Sequence, residues 1–379
     1  MANVGTAPVD HPGSFLVEEL KTRGWAQVDL AYILGISTQQ LSPLLNGKRD
    51  ITTDMAIALG EAFDVPAEFF ANLQKLYDLH KARKPDPGVR TRASWVSTFP
   101  VREMIKRGWI EDTDPALLDL QMLRFFGKSQ ISEIPFVGNT EIDCHAAKRS
   151  DYGSMTPIQY VWLHRVKKIA EGINRPKYSE SKLLNSLPKI RAHMLDKDDL
   201  IHIPKILWEC GVRYVLVEAL PGSKIDGVCV WINGQPAIGM STRLDRLDNF
   251  CFVLRHEIEH VLRRDGAEVT YTPVDEFSGE TNSDDLPEIE KRANVAAAEF
   301  LIPEEQLNSF IARKSPFISE KDVLLFAARI KINPSVVVGQ IQHKTKQYAW
   351  LRKYQKSMRD FLMDWEFKDG WGFQCPTGL

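Results

Sequence analysis

The stretch "LDRLDNFCFVLRHEIEHVLRR", residues 244–264, decides how this chain is read. Apolar residues fall at Phe250, Val253, Leu254, Ile258, Val261 and Leu262, a helical stripe with no Gly or Pro in it. Inside the stripe, His256 and His260 stand four apart, and Glu257 follows the first. A four-residue step turns an α-helix by about 400°, so the two imidazoles share one face and can meet one metal ion. Glu257 lies about 100° round the helix, outside the ligand set yet close enough to take a proton from an attacking water. Two histidines alone are also what a plain amphipathic helix can carry. A third ligand decides, because zinc in hydrolytic sites takes three protein ligands and keeps one position open.

Downstream, "PEIEKRANVAAAEFLIP" (287–303) offers that ligand. Glu290, Ala293, Asn294 and Ala297 recur at helical spacing, and the alanines let a second helix come close. Glu290 is the candidate ligand, and Asn294, one turn on, is placed to orient a ligand imidazole. Glu288, Glu280 and Asp284 compete for the ligand role. Glu259 points away from His260 and is not read as a ligand. Cys251 faces the pair poorly, and the adjacent Cys144 and His145 diverge too much to form a catalytic couple.

"HEIEH", followed by Glu290, Ala293, Asn294 and "LIP" and preceded by "DGVCVWINGQPAIGMS" (226–241), resembles the ImmA/IrrE family of metallopeptidases over about 200–345. The resemblance implies His256, His260 and Glu290 as zinc ligands and Glu257 as general base. It also implies a small sheet before the active helix, with "PAIGM" as an edge strand able to hold an extended peptide. Two departures are visible: many members carry a small residue at the position of Glu259 and a Phe at that of Ala296.

The front of the chain has a different character. "WAQVDLAYILGISTQQLSPLLNGKRDIT" (25–52) predicts helix, tight turn, helix. Leu30, Ile33 and Leu34 make one apolar stripe, Gly35 ends the first helix and Ser37 caps the second. Thr38, Gln39, Gln40 and Ser42 form a short polar face suited to base edges, and Lys48 and Arg49 can grip phosphate. The stretch from about 10 to 80 resembles the phage-repressor-like (XRE) helix-turn-helix, and more closely the HigA-type antitoxins. Against strong DNA binding, the 38–46 helix holds no Lys or Arg, and Pro43 lies inside it. Residues 1–84 carry eight Lys/Arg against ten Asp/Glu. Affinity therefore calls for a dimer and for help from 81–107, which holds eight Lys/Arg and two acids. Otherwise that stretch is a solvated surface.

With 379 residues and a net charge of −2, the chain is long enough for two or three cores and has no global basic field. The five cysteines (144, 210, 229, 251 and 375) form no CxxC pair and read as reduced thiols of a cytoplasmic protein. No run is long enough for a membrane span, and "MANVGTAPVDHPG" has no secretory pattern.

The fold expected is multidomain and mainly α with a small β-sheet. Residues 1–84 form the helix-turn-helix bundle and 85–195 a helical linker or dimerisation region. Residues 196–345 form an α+β zincin-like domain, and 346–379 a tail whose tryptophans pack or meet a partner. The function expected is a homodimeric transcriptional regulator or antitoxin on double-stranded operator DNA. Its zinc domain would cleave or sense a toxin or repressor encoded nearby. Two alternatives stand beside it. One is a site-specific zinc endopeptidase that inactivates a repressor, with the helix-turn-helix as tether. The other is a non-catalytic toxin-binding scaffold.

Overall fold

A computed structural model describes residues 9–83, 86, 88–111, 114, 117–137, 155–267, 274–275 and 286–377. It divides into two compact units, Met1–Asp86 and Pro87–Leu379.

The first unit is a five-helix bundle: α1 (Pro12–Arg23), α2 (Gln27–Ile33), α3 (Thr38–Leu45), α4 (Thr53–Phe63) and α5 (Ala67–Lys81). Local chemistry sets the helix ends. Gly24 takes φ 67° after α1, and Gly35 takes φ 65° between α2 and α3. Ser37 and Gln40 form a capping box on α3, and the Thr52 side chain caps α4. Leu16, Leu30, Leu41, Leu44, Leu59 and Phe70 fill the core. A Cβ on Gly13 would lie 2.2 Å from the Leu44 carbonyl oxygen, so α1 crosses the end of α3 at a distance only glycine permits. The stripe expected on α2 is corrected at Ile33, which is 45% exposed while Leu30 is fully buried. Seven residues make too short a helix for a broad buried face, and Ile33 falls past its edge.

The second unit is built on a five-stranded mixed sheet in the order β4-β2-β3-β1-β5. Its strands are β1 (Arg213–Val217), β2 (Gly227–Ile232), β3 (Gln235–Met240), β4 (Val274–Asp275) and β5 (Lys368–Asp369). Alternate residues serve opposite layers, as strand periodicity requires. Val215, Val217, Val228, Val230 and Ala237 face the layer of Val161, Trp162 and Val166. Tyr214, Leu216, Cys229, Ile238 and Met240 face the layer of Leu247, Phe250, Leu254 and Ile258.

Helices α6 (Gly88–Thr98), α7 (Val101–Lys106), α8 (Leu118–Phe126) and α9 (Pro157–Glu171) contribute to the first layer. The opposite layer draws on α10 (Glu180–His193), α11 (Ile203–Glu209), α12 (Leu247–Arg263), α13 (Glu288–Leu301), α14 (Glu304–Lys314), α15 (Glu320–Ile330) and α16 (Pro334–Thr345). Among the described residues, no single helix is long and apolar enough to cross a membrane.

Two expectations change here. "PAIGM" is β3, an inner strand flanked by β2 and β1 rather than an edge; the short β4 lies outside β2. Residues expected as a helical linker or dimerisation region pack into the second unit, where α9 brings Val161, Trp162 and Val166 to one side of the sheet. The tail shows the first of the two roles expected of its tryptophans. Trp350, Trp365 and Trp371 pack against the core, and β5 pairs in parallel with β1.

The tail is fixed by a buried charge pair. Asp369, fully buried, accepts from both Arg165 and the Trp109 indole, at 2.5 and 2.6 Å, and from the Cys375 amide at 2.9 Å. Removing one partner of a buried pair strands the other. Asp369→Ala should therefore lower stability by about 3–5 kcal/mol in urea unfolding. A loss under about 1 kcal/mol, the range of an exposed pair, would show that the pair is not load-carrying.

Candidate metal centre and nucleic-acid face

Helix α12 carries the apolar stripe on the sheet side and turns His256 and His260 toward α13, both fully buried. Ala293 and Ala297 on α13 are buried as well, and Glu290 is 2% exposed. Small residues at the contact let the carboxylate reach. Glu290 Oε2 lies 2.9 Å from His256 Nε2 and 3.4 Å from His260 Nε2, and the two Nε2 atoms are 2.8 Å apart. Ligands held about 2.0–2.1 Å from one tetrahedral ion would be roughly 3.3 Å from each other, so the three atoms are spaced close to a coordination shell.

The remaining hydrogen bonds test whether a cation fits. His260 Nδ1 is 2.9 Å from Asp265 Oδ2, and His256 Nδ1 is 3.0 Å from Asn294 Oδ1. Both oxygens accept, so each ring carries its proton on Nδ1 and turns the bare Nε2 inward. With each ring protonated on Nδ1, two lone pairs and a carboxylate converge. That donor set suits a cation, and His256, His260 and Glu290 form a candidate metal site. Burial pushes the Glu290 carboxyl up to about 7, with Arg292 opposing, which is the cost a bound cation would relieve. For Asp265, burial works the other way from its hydrogen bonds to His260 and Arg292. The hydrogen bonds win and hold the carboxyl below the ordinary range.

Glu257 is fully buried beside the histidines on α12. Gly227, the first residue of β2, packs on its carboxylate: a Cβ there would fall 2.3 Å from Glu257 Oε1 and 2.7 Å from Val253. Glycine at 227 thus leaves the space the carboxylate uses.

The competitors separate. Glu288 is exposed, while Glu280, Asp284, Cys144 and His145 lie outside the described residues. Glu259 is held by Arg255 and Arg263, each at 2.9 Å, which explains a charge at that position without a metal role. Cys251 is fully buried, and burial raises its thiol pKa. Asp265 escaped the sequence reading. It follows the end of α12, where Arg264 takes φ 60°, and periodicity gives no signal beyond a helix end.

In the first unit, Thr38, Gln39, Lys48 and Arg49 are exposed, and Ser42 is half-buried. Gln40 is exposed too, but its Oε1 accepts from the Ser37 amide at 2.9 Å, so that oxygen serves the helix cap. Ser42 Oγ accepts from Asn46 Nδ2 at 3.1 Å. Pro43 interrupts α3 near its end, and the helix closes two residues later at Leu45. In the basic stretch, Arg107 is withdrawn from solvent. It donates to the carbonyls of Glu218 and Ala219 at 2.6 and 2.9 Å and pairs with Glu103.

Family models match these two regions separately. A helix-turn-helix model matches residues 16–70, and the IrrE N-terminal-like domain (peptidase M78) matches 213–338. Virulence-associated protein I of Dichelobacter nodosus is 36% identical over 78 residues, 20% of this chain and 72% of that protein. The chain belongs at its front to the helix-turn-helix family, and behind it carries an IrrE N-terminal-like domain.

The helix-turn-helix domain is also similar to the uncharacterized HTH-type transcriptional regulator YbaQ of Escherichia coli, 36% identical over 69 residues, 18% of this chain and 61% of that one. Among solved structures it is similar to the Pseudomonas aeruginosa antitoxin HigA with higBA promoter. That match is 36% identical and covers 19% of this chain and 80% of that one, with a TM-score of 0.19. The IrrE-like domain holds the whole His256, His260 and Glu290 constellation within its matched span.

Proposed function

We propose that this chain is a homodimeric, antitoxin-type regulator of double-stranded operator DNA, and that its second domain is a zinc-dependent endopeptidase acting on a partner protein. The observation that carries the second half is the convergence of two ring nitrogens and a carboxylate on one point. Zinc in that position supplies Lewis acidity toward a peptide carbonyl and toward water. His256, His260 and Glu290 hold it. Asn294 fixes the His256 ring, and Glu257 accepts a proton from the attacking water and returns it to the leaving amine. The partner is a toxin or repressor encoded nearby. The scaffold alternative has less support, because a toxin-binding surface needs no such constellation.

The DNA half rests on the helix-turn-helix match and on the exposed polar start of α3. Thr38, Gln39, Gln40 and Ser42 reach base edges, Gln40 through its amide nitrogen, and Lys48 and Arg49 contact phosphate. Exposed Leu76 and Leu79 on α5 offer apolar area for a second copy.

Electrophoretic shift of the chain's own upstream region tests this. Affinity should fall steeply between 50 and 200 mM salt, as counterion release requires. Lys48→Ala and Arg49→Ala should each flatten the slope of log affinity against log salt by about 1. Binding that ignores salt, or a slope unchanged in both variants, would remove the phosphate assignment.

A further inference from the structure

We infer that Asp265 is the positioning residue of the metal centre: it fixes the tautomer and direction of His260 and ties the three elements that build the site to one another. The inference rests on the metal reading above and deepens it.

Asp265 meets each element separately. Its Oδ2 accepts from His260 Nδ1 at 2.9 Å, and its own amide donates to the His260 carbonyl at 2.9 Å. Arg292 reaches across from α13 and donates to both carboxylate oxygens, at 3.0 and 2.8 Å. Trp231 on β2 donates its indole N–H to the Asp265 carbonyl at 3.0 Å. One residue is thus gripped by the helix of the two histidines, the helix of the third ligand and the sheet beneath Glu257.

The backbone is shaped for this. Arg264 and Gly266 take φ 60° and 75°, a double left-handed turn that folds the chain back at the end of α12. Asp265 is thereby returned under the last turn, alongside the ring of His260 rather than out into solvent. A carboxylate there can only accept, so Nδ1 keeps its proton and Nε2 keeps its lone pair for the ion. Arg292 stands two residues after Glu290 and two before Asn294. Its grip on Asp265 therefore sets the spacing between the two ligand helices. A plain helix-capping ion pair would use the same contacts but would leave zinc affinity unmoved.

The test uses the full chain. Zinc affinity is measured by chelator competition, and the visible spectrum is recorded after cobalt(II) substitution, for wild type, Asp265→Ala and Asp265→Asn. Asp265→Ala should lose about 10–100-fold in zinc affinity, the usual cost of an outer partner, and shift the cobalt bands. Asp265→Asn keeps an accepting oxygen without the charge and should fall between. If Asp265→Ala fails to fold, Asp265→Asn carries the comparison. Wild-type uptake of zinc with affinity and spectrum unchanged in the folded variants overturns this inference alone. A wild type that takes up no zinc overturns the metal reading and this inference with it.

Discussion

His256→Ala should leave the chain without zinc. Elemental analysis of the purified wild type should return a stoichiometric ion, and the variant close to none. The reason is ligand count. Removing His256 deletes the nitrogen that lies within 3 Å of both other ligand atoms, at 2.8 Å from His260 Nε2 and 2.9 Å from Glu290 Oε2. Two ligands remain where zinc needs three and an open position. The loss should exceed the roughly 10–100-fold that an outer partner contributes. Full zinc occupancy in the variant would mean that the ion sits elsewhere.

Glu257→Gln should keep the zinc and lose the cleavage. Glutamine has the shape of glutamate and fits against Gly227, but it cannot take a proton. Glu257 is not among the three converging atoms, so metal content should match the wild type. Cleavage of a mixed peptide library, read by mass spectrometry, should drop by about 10²–10⁴-fold, the usual share of general acid–base catalysis. Unchanged cleavage would sink the assignment of the base. Loss of zinc would make Glu257 a structural residue instead.

These residues were legible for a physical reason. His256, His260 and Glu257 sit inside one long helix, where spacing translates directly into direction. Glu290, Ala293, Asn294 and Ala297 share a face on a second helix, and the small residues announced the close contact that the structure has. A small sheet before the active helix was expected as well, with "PAIGM" as one of its strands, and that stretch is β3.

What escaped lies where no period applies. Asp265 reaches His260 only through a left-handed turn past the helix end. β5 is two residues long, and its Asp369 is a poor strand former, buried because Arg165 and Trp109 satisfy it. The order of strands depends on pairing between distant segments, so "PAIGM" was placed at the edge when β2 and β4 lie outside it. Arg107 counted as a surface cation in the sequence, although the carbonyls it serves are over a hundred residues away. In the first domain, Gln40 matched a base-reading pattern and a capping box equally well, and its oxygen serves the cap.

The most direct measurement is anomalous diffraction at the zinc edge from crystals of the full chain. One peak is expected between α12 and α13, about 2.0–2.2 Å from His256 Nε2, His260 Nε2 and a carboxylate oxygen of Glu290. A map with no peak there, or one in which Glu290 stands beyond coordination distance of the ion with no other oxygen in its place, would contradict that expectation.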